Sequence, residues 1–177
     1  QSLLEARADA VILIPTMPIR LPGSPARSLL RELIAAGLRA ADPCHAIPHS
    51  VSHTGQSLRV GRKTYDLSRF KRVFAVGAGK ASARMAQALE HVLGTRLEGG
   101  FIVVKTGHGV PTKRIKVLEA AHPIPDHAGL LAASRLRTLI QDFTPRDLLF
   151  VLLSGGASSL LPAPVSGVTL ADTQRTT

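Results

Sequence analysis

The run Asp-Leu-Leu-Phe-Val-Leu-Leu-Ser over residues 147–154 is apolar on successive positions, not on alternate ones. A strand with one face in water alternates; a strand that is apolar throughout is buried on both faces, as in the middle of a parallel sheet. Parallel strands require crossover connections, usually helices, so this run commits the chain to a layered α/β architecture. A second apolar stretch, residues 73–77, passes through Gly-Ala-Gly-Lys straight into a helical pattern over 80–93 that Gly94 ends.

The rest of the chain fits that frame. The spacing predicts a hairpin in Ser57–Ser68, with Leu58 and Val60 before Gly61 and Tyr65 and Leu67 after it. Strands follow at 101–104 and 115–119, then a helix over 127–143. The expected fold is a doubly wound α/β domain with a mostly parallel, Rossmann-like sheet and helices on both faces.

Upstream, Ser24-Pro25 opens a helix whose Leu29, Leu30, Leu33, Ile34, Leu38 and Ala41 form one apolar stripe, and Asp42-Pro43 closes it. Residues 1–24 match no clear element and are expected to be a disordered extension, with a native start near Met17. Thr169 and Asp172 have the spacing of a helix start, yet the chain stops at Thr177. Residues 25–177 are therefore expected to be a partial domain, truncated at its C-terminus.

His45, His49 and His53 stand four apart, a spacing that on one helix could present metal ligands. Pro48 and the lack of an apolar stripe favour a solvated loop over 44–56, so no metal site is expected. Cys44 is the only cysteine, which excludes an internal disulfide. No apolar run approaches the roughly 18 residues of a membrane-spanning helix, and a cytoplasmic protein is expected. The net charge of +10 arises from scattered residues, with aromatics at 3%. A nucleic-acid binder would show a basic stripe with stacking aromatics, and both are missing; the charge is equally compatible with small anionic substrates and by itself decides nothing.

In open parallel sheets, ligands bind where strand ends lead into helix N-termini. Two such turns are glycine-rich: Val-Gly-Ala-Gly-Lys-Ala-Ser over 76–82 and Leu-Ser-Gly-Gly-Ala-Ser-Ser over 153–159. Neither is a stock motif. A Walker A loop would need glycine at Phe74 and Ser or Thr at Ala81; a dinucleotide fingerprint would need a third glycine at Ser82; a hydrolase elbow would need glycine at Leu152. Glycines there allow close backbone approach, with N–H groups turned to an anion. Lys80, a cation beside a helix N-terminus, is disfavoured by the helix dipole unless an anion offsets it. Gly77, Gly79 and Lys80 thus form one candidate phosphate site, and Ser154, Gly155, Gly156 and Ser158 form its partner. Lys105 and His108 follow the strand at 101–104 and could reach the same edge. Asp126 is expected to cap the helix after it. For His122 a structural and a ligand-contact role stand equal.

In order, the segments Arg59–Glu90, Glu98–Pro111, Glu119–Gly129 and Leu148–Pro164 resemble the N-terminal domain of the MOFRL-type glycerate 2-kinases. Relatives of that kind sometimes go under the name hydroxypyruvate reductase. The resemblance spans about residues 26–177. It implies two α/β domains with the active site in the cleft between them, and transfer of the ATP γ-phosphate to the 2-hydroxyl of D-glycerate with Mg2+. It places the family's active-site lysine at Lys80 and the Ser-Gly-Gly-x-Ser segment at Ser154, Gly155, Gly156 and Ser158. Ala157 departs from the common glycine there, which argues against a left-handed residue at that position. The resemblance further implies an active-site arginine in a second domain, and that these 177 residues alone are inactive. Two other readings stay open: a non-catalytic sugar-phosphate or nucleotide-binding module, and an NAD(P)-dependent hydroxypyruvate reductase.

Overall fold

The structure, a computed structural model, describes residues 12–14, 17–19 and 27–177. The Ser24-Pro25 start signal and most of the expected extension lie outside the described residues. Within the first unit, residues 1–42, β1 (Ile12–Ile14) pairs antiparallel with β2 (Met17–Ile19). The helix α1 (Arg27–Ala41) carries the expected stripe, of which Leu29, Leu30 and Leu33 are exposed.

The second unit, residues 43–177, begins with a departure from the sequence reading. Residues 43–50 form a helix, α2 (Pro43–Ser50), with Pro48 inside it. Pro43 occupies the first turn, where a missing N–H costs nothing, and Ile47 packs on the main core. Tertiary packing outweighs the local penalty of Pro48. His49 Nδ1 hydrogen-bonds the His45 carbonyl at 2.6 Å. His53 lies on the following strand instead, so the three histidines share no face.

That strand, β3 (Val51–Thr54), opens an antiparallel meander with β4 (Ser57–Val60) and β5 (Lys63–Asp66). The chain then enters a four-stranded parallel sheet: β6 (Arg72–Ala78), β7 (Gly99–Lys105), β8 (Ile115–Ala120) and β9 (Asp147–Leu153), in the order β8-β7-β6-β9. Helix α3 (Ser82–Leu93) joins β6 to β7, and α4 (His127–Gln141) joins β8 to β9.

Side-chain alternation sorts the two faces. Val73 and Ala75 of β6, with Ile102 and Val104 of β7, pack under Ala83, Ala86, Leu89 and Leu93 of α3 and under Leu58 of the meander. Ala78 and Val103 point the other way, onto Ala132 of α4 and Leu160 of the short helix α5 (Ala157–Leu160). The expected Asp126 cap is present, its carboxylate accepting from the Gly129 amide at 2.9 Å. The helix after Thr169, α6 (Leu170–Arg175), starts with a reciprocal capping box between Thr169 and Asp172.

Among the described residues the run 147–153 is not in the middle of the sheet: β9 is an edge strand. Leu152 is buried under α3, whereas Val151 and Leu153, on the opposite face, are 57% and 59% exposed. α4 covers β8 and α5 covers β6 and β7, leaving that face of β9 open.

Candidate functional site

The sheet order sets the location. From β6 the chain steps outward through β7 to β8, then crosses back to place β9 on the other side of β6. The switch in winding direction falls between β6 and β9, and the crevice at their carboxyl ends is where such sheets take ligands. The two glycine-rich turns leave those two strands.

The turns are locked together. Leu152 O lies 2.0 Å from the place a Cβ on Gly77 would occupy, and Ser154 Oγ lies 2.1 Å from that of Gly79, whose φ is +134°. Only glycine fits either position. The Gly79 amide donates to Val103 O at 3.0 Å and the Lys80 amide to Gly155 O at 3.0 Å, while the Ser154 amide donates to Ala78 O at 3.1 Å. Ser154 Oγ accepts from the Ala81 amide at 3.0 Å. The buried Ser82 hydroxyl donates to Leu152 O at 3.0 Å.

These bonds change the chemistry expected of the first turn. Its amides between Gly79 and Ser82 are spent inside the protein and do not form an anion cradle. Helix α3 starts at Ser82, not Lys80, with Ala81 as its cap. The turn offers the exposed Lys80 side chain on a rigid support. Ser154, expected as a ligand contact, spends both its amide and its hydroxyl acceptor in bracing that support. In the second turn no described carbonyl accepts from the Gly155 or Gly156 amide. The left-handed residue is Gly156, at φ +93°, so Ala157 is accommodated as the first residue of α5. Ser158 is exposed on that helix.

Lys105 closes β7, and the Thr106 and His108 amides fold the next turn against Ala120 O and Lys105 O at 3.1 and 2.9 Å. His122, just past β8, completes the cluster. Its ring Nε2 and Cδ2 lie 2.7 and 2.8 Å from the place of a Cβ on Gly156, and Lys80 Cε lies 3.6 Å from that same point. Burial lowers the His122 pKa below its ordinary value, and the positive charges of Lys80, Lys105 and His108 push it the same way. The structure therefore brings Lys80, after β6, and His122, after β8, together beside Gly156, while the charges of Lys105 and His108, after β7, act on the His122 ring. His122 is the member whose role composition and spacing left open. Its only signal was a histidine two residues past the end of a strand.

A parallel α/β unit thus presents the Lys80 side chain, the His122 ring and the Gly155 and Gly156 amides at its switch point, the place where such sheets take ligands. The chain belongs to the family whose model bears the description "Domain of unknown function (DUF4147)", which matches residues 29–177. It is 35% identical over 151 residues to a glycerate 2-kinase of Pyrococcus horikoshii, covering 85% of this chain and 33% of that protein. It is 37% identical over 120 residues to a D-glycerate 2-kinase of Thermotoga maritima, covering 67% of this chain and 29% of that one. A protein of Agrobacterium vitis whose name carries the words "hydroxypyruvate reductase" is 48% identical over 101 residues, covering 57% of this chain and 26% of its own. The fold matches a crystal structure of a P. horikoshii protein with a TM-score of 0.75 at 34% identity, over 86% of this chain and 34% of that one. It matches the crystal structure of the T. maritima glycerate kinase at 0.69 and 30%, over 85% and 33%. The chain thus spans about a third of the length of these relatives.

Among the described residues no helix is long and apolar enough to cross a membrane. No group of three or more His, Cys, Asp or Glu residues could hold a metal ion there either.

Proposed function

We propose that the protein, as its gene encodes it, is a cytoplasmic glycerate 2-kinase, transferring the γ-phosphoryl group of ATP to the 2-hydroxyl of D-glycerate. The observation that carries this reading is the meeting of Lys80 and His122 at Gly156, beside the switch between β6 and β9, in a chain whose relatives are named glycerate kinases. Phosphoryl transfer asks a protein mainly for positioning and charge neutralisation. Lys80 supplies a fixed positive charge on a turn braced from β9, and Lys105 a second one from β7. The open amides of Gly155 and Gly156 add hydrogen-bond donors without net charge. Mg2+ neutralises phosphate charge in such reactions, but this chain has no ligand set for it among the described residues.

The test is purified protein, ATP, Mg2+ and D-glycerate, with the product read by phosphorus NMR. The expected product is 2-phosphoglycerate. Formation of 3-phosphoglycerate, or no ATP-dependent product at all, overturns the reading. Reduction of hydroxypyruvate by NAD(P)H in its place would establish the reductase.

A further inference from the structure

We propose that His122 is the group that takes the proton from the attacking substrate hydroxyl, and that Gly156 is glycine to leave the His122 ring its place. The proposal rests on the kinase reading above and adds a catalytic residue to it.

The geometry is that of an acceptor set among donors. Lys80 and Lys105 end in ammonium groups, which donate hydrogen bonds and cannot accept them. A hydroxy acid entering beside Gly156 can satisfy its carboxylate on Lys80. Its hydroxyl proton then needs an acceptor, and a neutral imidazole nitrogen is one. The His122 Nε2 edge lies beside Gly156, and Lys80 Cε flanks the same point, so the ring and the end of the lysine side chain meet at that glycine. The groups acting electrostatically on the ring are Lys80 after β6, and Lys105 and His108 after β7. All are cationic or neutral. The nearby carboxylate of Glu119, on β8, is turned to the Gly107 amide at 3.2 Å, and that of Asp126 is spent on its helix cap. A neighbouring carboxylate would raise the pKa of the ring; here burial and the surrounding cations lower it, which favours the neutral form that accepts a proton.

In the step proposed, the substrate O–H bond breaks and its proton passes to the imidazole. The oxygen forms a bond to the γ-phosphorus of the nucleoside triphosphate. The bond from that phosphorus to the bridging oxygen breaks, its electron pair leaving with the nucleoside diphosphate. The imidazolium then returns its proton to solvent.

The experiment compares wild type, His122→Gln and His122→Ala in the whole protein, with D-glycerate and ATP, across pH 5 to 9. Melting temperatures report folding. The expected result is a loss of kcat on the order of 10²–10⁴-fold in both variants with KM for ATP little changed. The acidic limb of the kcat profile should vanish, and added imidazole should partly restore His122→Ala. A structural histidine would not respond to free imidazole. If wild type turns over and His122→Gln stays within about threefold of it with its acidic limb intact, the proposal falls and the kinase reading stands. If folded His122→Ala is not rescued and its pH profile keeps wild-type shape, the proposal falls likewise. If wild type itself makes no phosphoglycerate, both fall.

Discussion

The Ser154 hydroxyl accepts a hydrogen bond from the Ala81 amide across 3.0 Å, so the turn that presents Lys80 after β6 is built upon the turn that follows β9. Ala81 and Ser154 are 73 residues apart in sequence, and this bond joins turns that local bonds alone would leave separate. Ser154→Ala removes the acceptor and leaves the Ala81 amide without its partner. We expect a loss of about 1–3 kcal/mol in urea unfolding and faster hydrogen exchange at Ala81. Unchanged exchange would show that the bond does not support the turn.

Lys80 separates into a structural half and a chemical half. Its amide donates to Gly155 O, a bond that any residue but proline can make, while its side chain is exposed. Lys80→Ala should therefore leave the melting temperature within a few degrees of wild type and lower phosphotransferase turnover by about 10²-fold or more. A variant with normal turnover would remove Lys80 from the chemistry.

Two glycines predict opposite outcomes on replacement by alanine. At Gly100, φ is +137° and a Cβ would sit 1.7 Å from Ala75 O in the neighbouring strand. Gly100→Ala has to push β6 and β7 apart and should cost upwards of about 4 kcal/mol, seen as insoluble or unfolded protein. At Gly37, within α1, nothing lies within 4 Å of the added carbon. Gly37→Ala should raise the helicity of that segment and stabilise it by about 0.5–1 kcal/mol, measured by circular dichroism.

Arg72 and Asp147 stand opposite each other at the start of the β6–β9 pair, joined by two hydrogen bonds of 2.7 and 2.8 Å. Arg72, with help from the Thr144 amide and hydroxyl, holds the Asp147 carboxyl well below its ordinary value of 3.8. A carboxylate with a lowered pKa stabilises the fold fully above about pH 4, and that contribution is lost as pH falls through the folded-state value. Asp147→Asn should therefore lower the urea midpoint at pH 7, with the gap to wild type closing as pH falls below about 3.8. A gap independent of pH would mean that charge is not what the pair contributes.

For His122 the sign is the same, in a higher pH range. Its pKa is lowered from 6.5, so below about pH 6.5 the unfolded chain binds a proton that the folded chain resists, and stability declines as pH falls through that range. His122→Gln should flatten this part of the stability curve. An identical slope in the variant would show the decline to come from other groups.

Much of this protein is legible in its sequence because the cues are local. Strand–helix alternation, Gly94 closing α3, Asp126 capping α4 and the Thr169–Asp172 box each depend on residues a few positions apart, and all are found where the spacing puts them. The glycines and Lys80 of the turn after β6 were also recognisable as special, since a cation beside a helix start has an electrostatic cost. What those glycines do was not legible. They admit the backbone of β9 and Ser154, a contact set by sheet order, and the amides expected to face an anion face the protein instead. Pro48 could not show that Ile47 would hold its segment helical against the core. The apolar run 147–153 could not show which of its faces α4 and α5 would cover. His122 entered the site by the same route. Its sequence neighbours are prolines, and only the parallel pairing of β6, β7 and β8 carries it to Gly156 and Lys80, because strand order, unlike strand content, is decided by packing between residues far apart in the chain.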